Sequence, residues 1–278
     1  MTDTSPPAEW RSLVVWNRAS YLLLSIFFAT IVIIGIVWWP LLSDYAASFD
    51  PDVAWWRQVD WLLLGIFAVM SLLIMARADL KRDALTVGVG LAGGLVIESW
   101  GTQTALWTYY TYERPPLWII PAWPIASLAI DRMTGWIAPG LGRLGRRATW
   151  AMYALVFGGF IALMVDFVRP TTGQSLTVTA LLLCVFLILT PVRPGTALAA
   201  FIAGAALGYF LELWGTTRAC WTYYTLETPP AFAVLAHGMA AVAFWRSAEA
   251  IRSLAGNAAA RFRDSKRAPR SADALPSA

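Results

Sequence analysis

Long apolar runs alternate with short charged connections along the whole chain. Runs able to cross a ~30 Å hydrocarbon core fall at 20–39, 61–76, 85–106, 116–130, 150–168, 175–190, 196–214 and 229–245. Backbone in lipid must satisfy its own hydrogen bonds, so each run reads as a helix. The pattern predicts an all-α polytopic membrane protein with eight transmembrane helices. The first run is followed by Trp38, Trp39 and Pro40 rather than a small-residue cleavage site, so it reads as a retained span. Residues 1–9 and 253–278 are rich in Ser, Pro, Ala and Arg without an apolar period, and disorder is expected there.

Composition agrees with that reading. The chain is 58% hydrophobic and 14% charged, against about 25% charged in soluble domains. The net charge of +4 does not point to nucleic acid, because its basic residues gather on one side of the membrane and in the tail. Arg11 and Arg18 precede the first span; Arg77, Lys81 and Arg82, then Arg132, Arg143, Arg146 and Arg147, then Arg193 follow on the same side. The positive-inside rule therefore expects both termini in the cytoplasm and the protein in the cytoplasmic (inner) membrane. A basic tail of this kind lies readily on anionic lipid. Cys184 and Cys220 indicate neither a disulfide nor a metal site.

An internal duplication organises the chain. Residues 98–132 read ESWGTQTALWTYYTYERPPLWIIPAWPIASLAIDR, and residues 212–246 read ELWGTTRACWTYYTLETPPAFAVLAHGMAAVAFWR; 17 of 35 positions are identical at a constant offset of 114. The expected organisation is a cytoplasmic segment at 1–19, four-helix repeats at 20–132 and 150–246, and a basic tail at 253–278. Repeats with an even number of spans share one orientation, so they are expected to be parallel about an axis along the membrane normal.

In each repeat the third span carries a stripe spaced by four: Gly90, Gly94, Glu98, Thr102 and Gly204, Gly208, Glu212, Thr216. Such positions share one helix face. Glu98 lies roughly 20 Å along its span by the helical rise, inside the outer half of the bilayer. Ionisable residues there are functional-site candidates, and desolvation favours the neutral, proton-donating carboxylic acid. The structural alternative is that each Glu hydrogen-bonds its neighbouring W-T-Y-Y-T loop and locks it. The duplicated Trp100/Trp214, Trp107/Trp221, Tyr109/Tyr223 and Tyr110/Tyr224 either line a cavity open to the outer leaflet or join the aromatic belt. The repeats diverge at Trp123/His237 and Asp131/Trp245. His237 is either a helix–helix hydrogen bond or a helper in proton transfer. Asp131–Arg132 reads as a snorkelling ion pair, and Asp166 either lines the cavity or pairs with Arg169.

Walker, dinucleotide-binding, DxxxD and His-box motifs are absent, and no span carries a lysine for a retinal. No cofactor or metal is expected. The order Glu98, Gly101-Thr102, Trp107, Tyr109, Pro115, then a span with Trp123 and Pro124, resembles the integral-membrane carotenoid-biosynthesis proteins, namely the carotenoid hydratases and small membrane lycopene cyclases. The likeness covers about a quarter of the chain. It departs where Gln103 follows Thr102 and where Trp107 stands at the family's Phe. The resemblance implies cofactor-free acid chemistry on an isoprenoid within the bilayer, with Glu98 and Glu212 as acid and base and His237 as helper. Trp100, Thr102, Trp107, Tyr109, Tyr110, Trp214, Thr216, Trp221, Tyr223 and Tyr224 would then contact the substrate, and Gly94 and Gly208 would make room for a flat polyene. Two other readings stay open at this point: a proton-coupled transporter of a small molecule or lipid, and a non-catalytic scaffold or lipid-binding subunit. The sequence does not fix the oligomeric state.

Overall fold

The computed structural model describes residues 16–267, with side chains described as far as residue 258. The disorder expected over 1–9 lies outside the described residues. The chain runs through α1 (Arg18–Val37), α2 (Trp39–Ala47), α3 (Trp55–Gln58), α4 (Trp61–Met75) and α5 (Leu80–Gln103) to β1 (Trp107–Tyr109). It continues through α6 (Ala122–Leu141), α7 (Arg146–Phe167), a 3-10 turn at Arg169–Thr171, α8 (Ser175–Leu189), α9 (Pro194–Thr217), β2 (Trp221–Tyr223) and α10 (Ala231–Arg267). The described residues are all-α apart from those two short strands. Among the described residues, five helices are long and apolar enough to cross a membrane: α1, α5, α7, α9 and the Ala231–Ala258 part of α10. The helices α4 and α8 are shorter apolar helices. Leu22, Ile26, Phe28 and Val32 on α1 and Leu182, Leu183 and Phe186 on α8 are exposed. So many large apolar side chains facing outward suit contact with lipid rather than water.

Two boundaries differ from the sequence reading. The run expected at 116–130 becomes helical only from Ala122 and then continues to Leu141. Pro115, Pro116 and Pro121 delay the start, because a residue preceding proline is pushed away from helical torsions. At the other end, α10 carries on to Arg267, so residues 253–267 of the expected disordered tail are helical. Alanine-rich sequence there is strongly helix-forming, and Arg252 pairs with Glu249 at 2.9 Å one turn back.

At the centre α6 packs on α5 and α9, while α10 packs on α9 and α5. Helices α1 and α4 lie to one side of this group, with α4 against α6, and α7 lies against α9 and α10. The strands pair antiparallel with Thr108 opposite Thr222, Trp107 opposite Tyr223 and Tyr109 opposite Trp221. Two crossing bonds flank them: Tyr110 N–H donates to Cys220 O at 3.2 Å and Tyr224 N–H to Leu106 O at 3.1 Å.

The expected snorkelling of Arg132 is overturned. Its guanidinium is buried and grips Asp83 with both arms, at 2.6 and 3.1 Å, while Nε donates to Ala76 O at 2.8 Å. Asp131 accepts from the same guanidinium at 2.9 Å. A buried charge demands this degree of pairing. At the position 114 later, Arg246 reaches the equivalent helix end, donating to Thr190 O at 2.6 Å; Ala197 stands in place of an aspartate there. Asp166 does pair with Arg169, at 2.8 Å on the surface.

Asp60 caps α4 and joins it to α9. Its carboxylate accepts from Leu63 N–H at 3.1 Å, Trp214 Nε1 at 2.8 Å and Arg218 Nε at 2.9 Å. Partial burial works against its charge, yet these bonds together hold the carboxyl below the usual aspartate range.

Two outcomes follow. Asp83→Ala should cost about 3–5 kcal/mol by removing the two-armed partner of a buried guanidinium, while the double change Asp83→Ala with Arg132→Met should recover most of that loss. Thermal melting of the purified protein in detergent reads both, and an additive double variant would contradict a paired burial. The stabilisation at Asp60 is present above its unfolded value of ~3.9 and is lost as pH falls through its lower folded value. Acid titration of melting temperature should lose that component in Asp60→Asn.

Candidate functional site

Helices α5 and α9 end alike. Leu106 N–H returns to Gly101 O, and Cys220 N–H to Gly215 O, each at 2.9 Å. Ala105 N–H reaches Thr102 O and Ala219 N–H reaches Thr216 O, with Ala105 and Ala219 left-handed at φ 58° and 53°. This double closure satisfies the last carbonyls of a helix and reverses the chain. The reversal lays the Trp107 ring on Gly101 and the Trp221 ring on Gly215, where an added Cβ would sit 1.9 and 2.0 Å from ring carbon. Only glycine leaves room.

The folded-back segments bring donors to the two buried glutamates. Glu98 accepts from Trp107 Nε1 at 3.1 Å, Tyr109 Oη at 2.9 Å and Trp123 Nε1 at 3.1 Å. Glu212 accepts from Trp221 Nε1 and Tyr223 Oη, each at 2.9 Å, and lies 2.9 Å from His237 Nε2. The donors stand 9, 11 and 25 residues after each glutamate. Two shells match in their first two members and differ in the third, tryptophan in one and histidine in the other. The Trp123 and His237 rings stack against each other, with centroids 5.7 Å apart and planes at 16°.

Both shells border one cavity of about 200 Å³. Its walls are narrow residues at matched positions, Ala122 and Ala126 on α6 and Ala236 and Ala240 on α10. Glu98, Glu212, His237, Trp123 and the strand aromatics Trp107, Tyr109, Trp221 and Tyr223 close one end. Toward the opposite end the lining passes Thr86 and Ile130 to Asp131, Thr134, Trp245, Ala248 and Arg252. Aromatic packing fills the end nearest the strands, and exposed Asp131 and Arg252 border the other.

Among the sequence candidates, Glu98, Glu212, His237, Trp100, Trp107, Tyr109, Trp221 and Tyr223 come together on this cavity. Others have different work. Thr102 and Thr216 donate to the carbonyls of Glu98 and Glu212, at 2.5 and 2.6 Å, within their own helices. Tyr110 and Tyr224 hydroxyls reach Val37 O and Phe167 O at the ends of α1 and α7. Trp214 turns away to Asp60 and stacks on Trp38 with centroids 5.0 Å apart. Gly94 and Gly208 do not hold open space for a polyene; Cβ atoms there would lie 2.3 Å from Trp123 and 2.5 Å from His237. Their room is already occupied by the third member of each shell. Glu113 and Glu227 are exposed loop residues.

Trp123, Asp131 and Thr134 line the cavity and lie outside the candidate site residues of the sequence reading. For the first two a signal existed, since both stand where the duplicated sequences diverge. Among the described residues no group of three or more His, Cys, Asp and Glu is arranged to hold a metal ion. Comparison of the chain with known protein families, curated proteins and solved structures finds no match.

Gly101→Ala or Gly215→Ala should expel its tryptophan ring and leave a glutamate oxygen without its N–H donor. The expected cost is about 1–3 kcal/mol for the unmet buried acceptor, with a changed near-ultraviolet dichroism of tryptophan. An unchanged spectrum and melting temperature would refute the clasp.

Proposed function

We propose that the chain is an intramembrane enzyme that adds water to, or cyclises, an isoprenoid or related apolar lipid by acid catalysis. One observation carries the reading: two carboxyl groups and an imidazole meet at the closed end of an apolar cavity, inside helices long enough to span a membrane. We read the architecture as eight spans in two parallel four-helix repeats, with both termini in the cytoplasm of an inner-membrane protein. The matched shells at an offset of 114 and the basic residues at one end of the helices support that arrangement.

The chemistry needs no cofactor. Glu212 enters as the carboxylic acid and transfers its proton to an alkene carbon, which leaves a tertiary cation on the neighbouring carbon. The faces of Trp107, Tyr109, Trp221 and Tyr223 stabilise that cation through their ring quadrupoles. In hydration, a water oxygen bonds to the cation and gives its proton to Glu98. In cyclisation, a second alkene supplies the electron pair and Glu98 removes the proton that restores a double bond. Environments that differ between two carboxyls divide acid from base. Here the difference is His237 against Trp123: an imidazole can hand a proton to Glu212, whereas indole cannot take that role at Glu98.

A second reading rests on the fully occupied shells. With every glutamate oxygen bonded, the two clasps can act as locks in a non-catalytic lipid-binding protein.

The test is mass spectrometry of lipid extracts from membranes that make a linear carotenoid and other polyprenoids. Wild type should yield a species heavier by one water, or an isomer of unchanged mass. Glu98→Gln and Glu212→Gln should abolish it, and His237→Trp, which copies the first shell onto the second, should abolish it while the protein still folds. Unchanged extracts from folded wild type would exclude this chemistry on those lipids and favour the lock; proton-dependent flux in vesicles would favour transport.

A further inference from the structure

The walls of the cavity are nearly symmetric, but its open end is not. Ala122 and Ala236, and Ala126 and Ala240, stand at matched positions. At the mouth Asp131 and its counterpart Trp245, and Thr134 and its counterpart Ala248, all line the cavity. Polar groups from α6 therefore meet apolar groups from α10. Asp131 and Thr134 lie one turn apart on the same helix face. The Thr134 hydroxyl oxygen is buried and has no hydrogen-bond partner. A buried hydroxyl left unmet costs free energy, and this one borders a cavity.

Charge decides what it meets. Arg132 is committed to Asp83 and Asp131, and Arg252 to Glu249 at 2.9 Å. Asp131 is itself paired with Arg132, with Arg82 at 3.9 Å, and Glu249 is shared with Arg193, so each of these charged groups already has an opposite partner and the group left unmet is the Thr134 hydroxyl. A phosphate or carboxylate headgroup would have to compete with Asp83, Asp131 and Glu249 for the arginines they already hold. A hydroxyl is complementary, since it donates to Asp131 and accepts from Thr134.

Resting on the enzyme reading above, we propose that the substrate is a polyprenol-type amphiphile with a single neutral hydroxyl end. Its hydroxyl is held by Asp131 and Thr134 at the mouth, and its apolar chain points inward to the glutamates. The distance available along α5 from Thr86 to Glu98 is about 18 Å by the helical rise, long enough for several isoprene units. A ligand with two identical ends is not what this mouth fits.

Binding to the purified protein in nanodiscs tests this with three probes: geranylgeraniol, its phosphate monoester, and the saturated hydrocarbon without the hydroxyl. Ligand retained after gel filtration is quantified by mass spectrometry, with thermal shift as a second readout. Wild type should bind the alcohol about tenfold more tightly than the hydrocarbon, the gain from one well-made hydrogen bond. Thr134→Val should erase that preference while hydrocarbon binding persists, Thr134→Ser should retain it, and Asp131→Asn should weaken it. Equal binding of alcohol and hydrocarbon by wild type, or tighter binding of the phosphate, would overturn the hydroxyl site while leaving the cavity's occupation by lipid intact. Failure of folded wild type to bind any probe would overturn both this site and the isoprenoid reading.

Discussion

A carboxyl group buried among helices survives only if its oxygens are met by donors that arrive with the fold. At Glu98 and Glu212 those donors come from the same short stretch of chain that follows each helix. The helix must therefore close, reverse and return within a few residues, and the returning indole must find a surface without a side chain. Gly101 and Gly215 provide that surface. The tight double closure at Ala105 and Ala219 sets the direction of return. The strand pair is then a by-product: two clasps facing each other place Thr108 and Thr222 side by side, and their backbones bond.

The third donor links the clasps to the cavity. Trp123 in the first turn of α6 and His237 in the second turn of α10 lie over Gly94 and Gly208 and stack on one another. The glycines permit the close helix approach that small residues allow in membrane bundles. In this way each carboxyl bridges its own helix, its own loop and the next helix. The single histidine breaks the equivalence at the place where the two shells touch, so a nearly symmetric frame carries an imidazole on one side and an indole on the other.

Much of this was legible in the sequence. The all-helical class, the apolar helices, the exceptional status of Glu98 and Glu212, and the association of WTYYT with them all follow from hydropathy and from the duplication. What the pattern hid was direction. Residues spaced by four share a face, but nothing in the spacing says whether that face meets ligand or another helix; at Gly94 and Gly208 it meets a ring. Trp100 and Trp214 occupy matched positions, yet only Trp100 borders the cavity, because Asp60 draws Trp214 away and Thr177 is the partner available to Trp100. Arg132 looked like a terminal snorkelling charge because its partner, Asp83, is 49 residues distant in the chain. Long-range pairing of that kind leaves no local periodicity.

The crossing bonds have a consequence for assembly. Tyr110 and Tyr224 donate across the strand pair to opposite duplicates, α6 and α10 each pack on the other duplicate's third helix, and the covalent link between the duplicates is only the short turn between α6 and α7. The strand pairing and the first two members of each shell are matched across this interface, as in an isologous contact, whereas the third shell member and the residues at the far end of the cavity are not. A dimer of identical halves would carry either two indoles or two imidazoles at the closed end of its cavity. With both duplicated sequences in one chain, each can carry its own residue at that position, and a pocket of matched walls becomes a handed one.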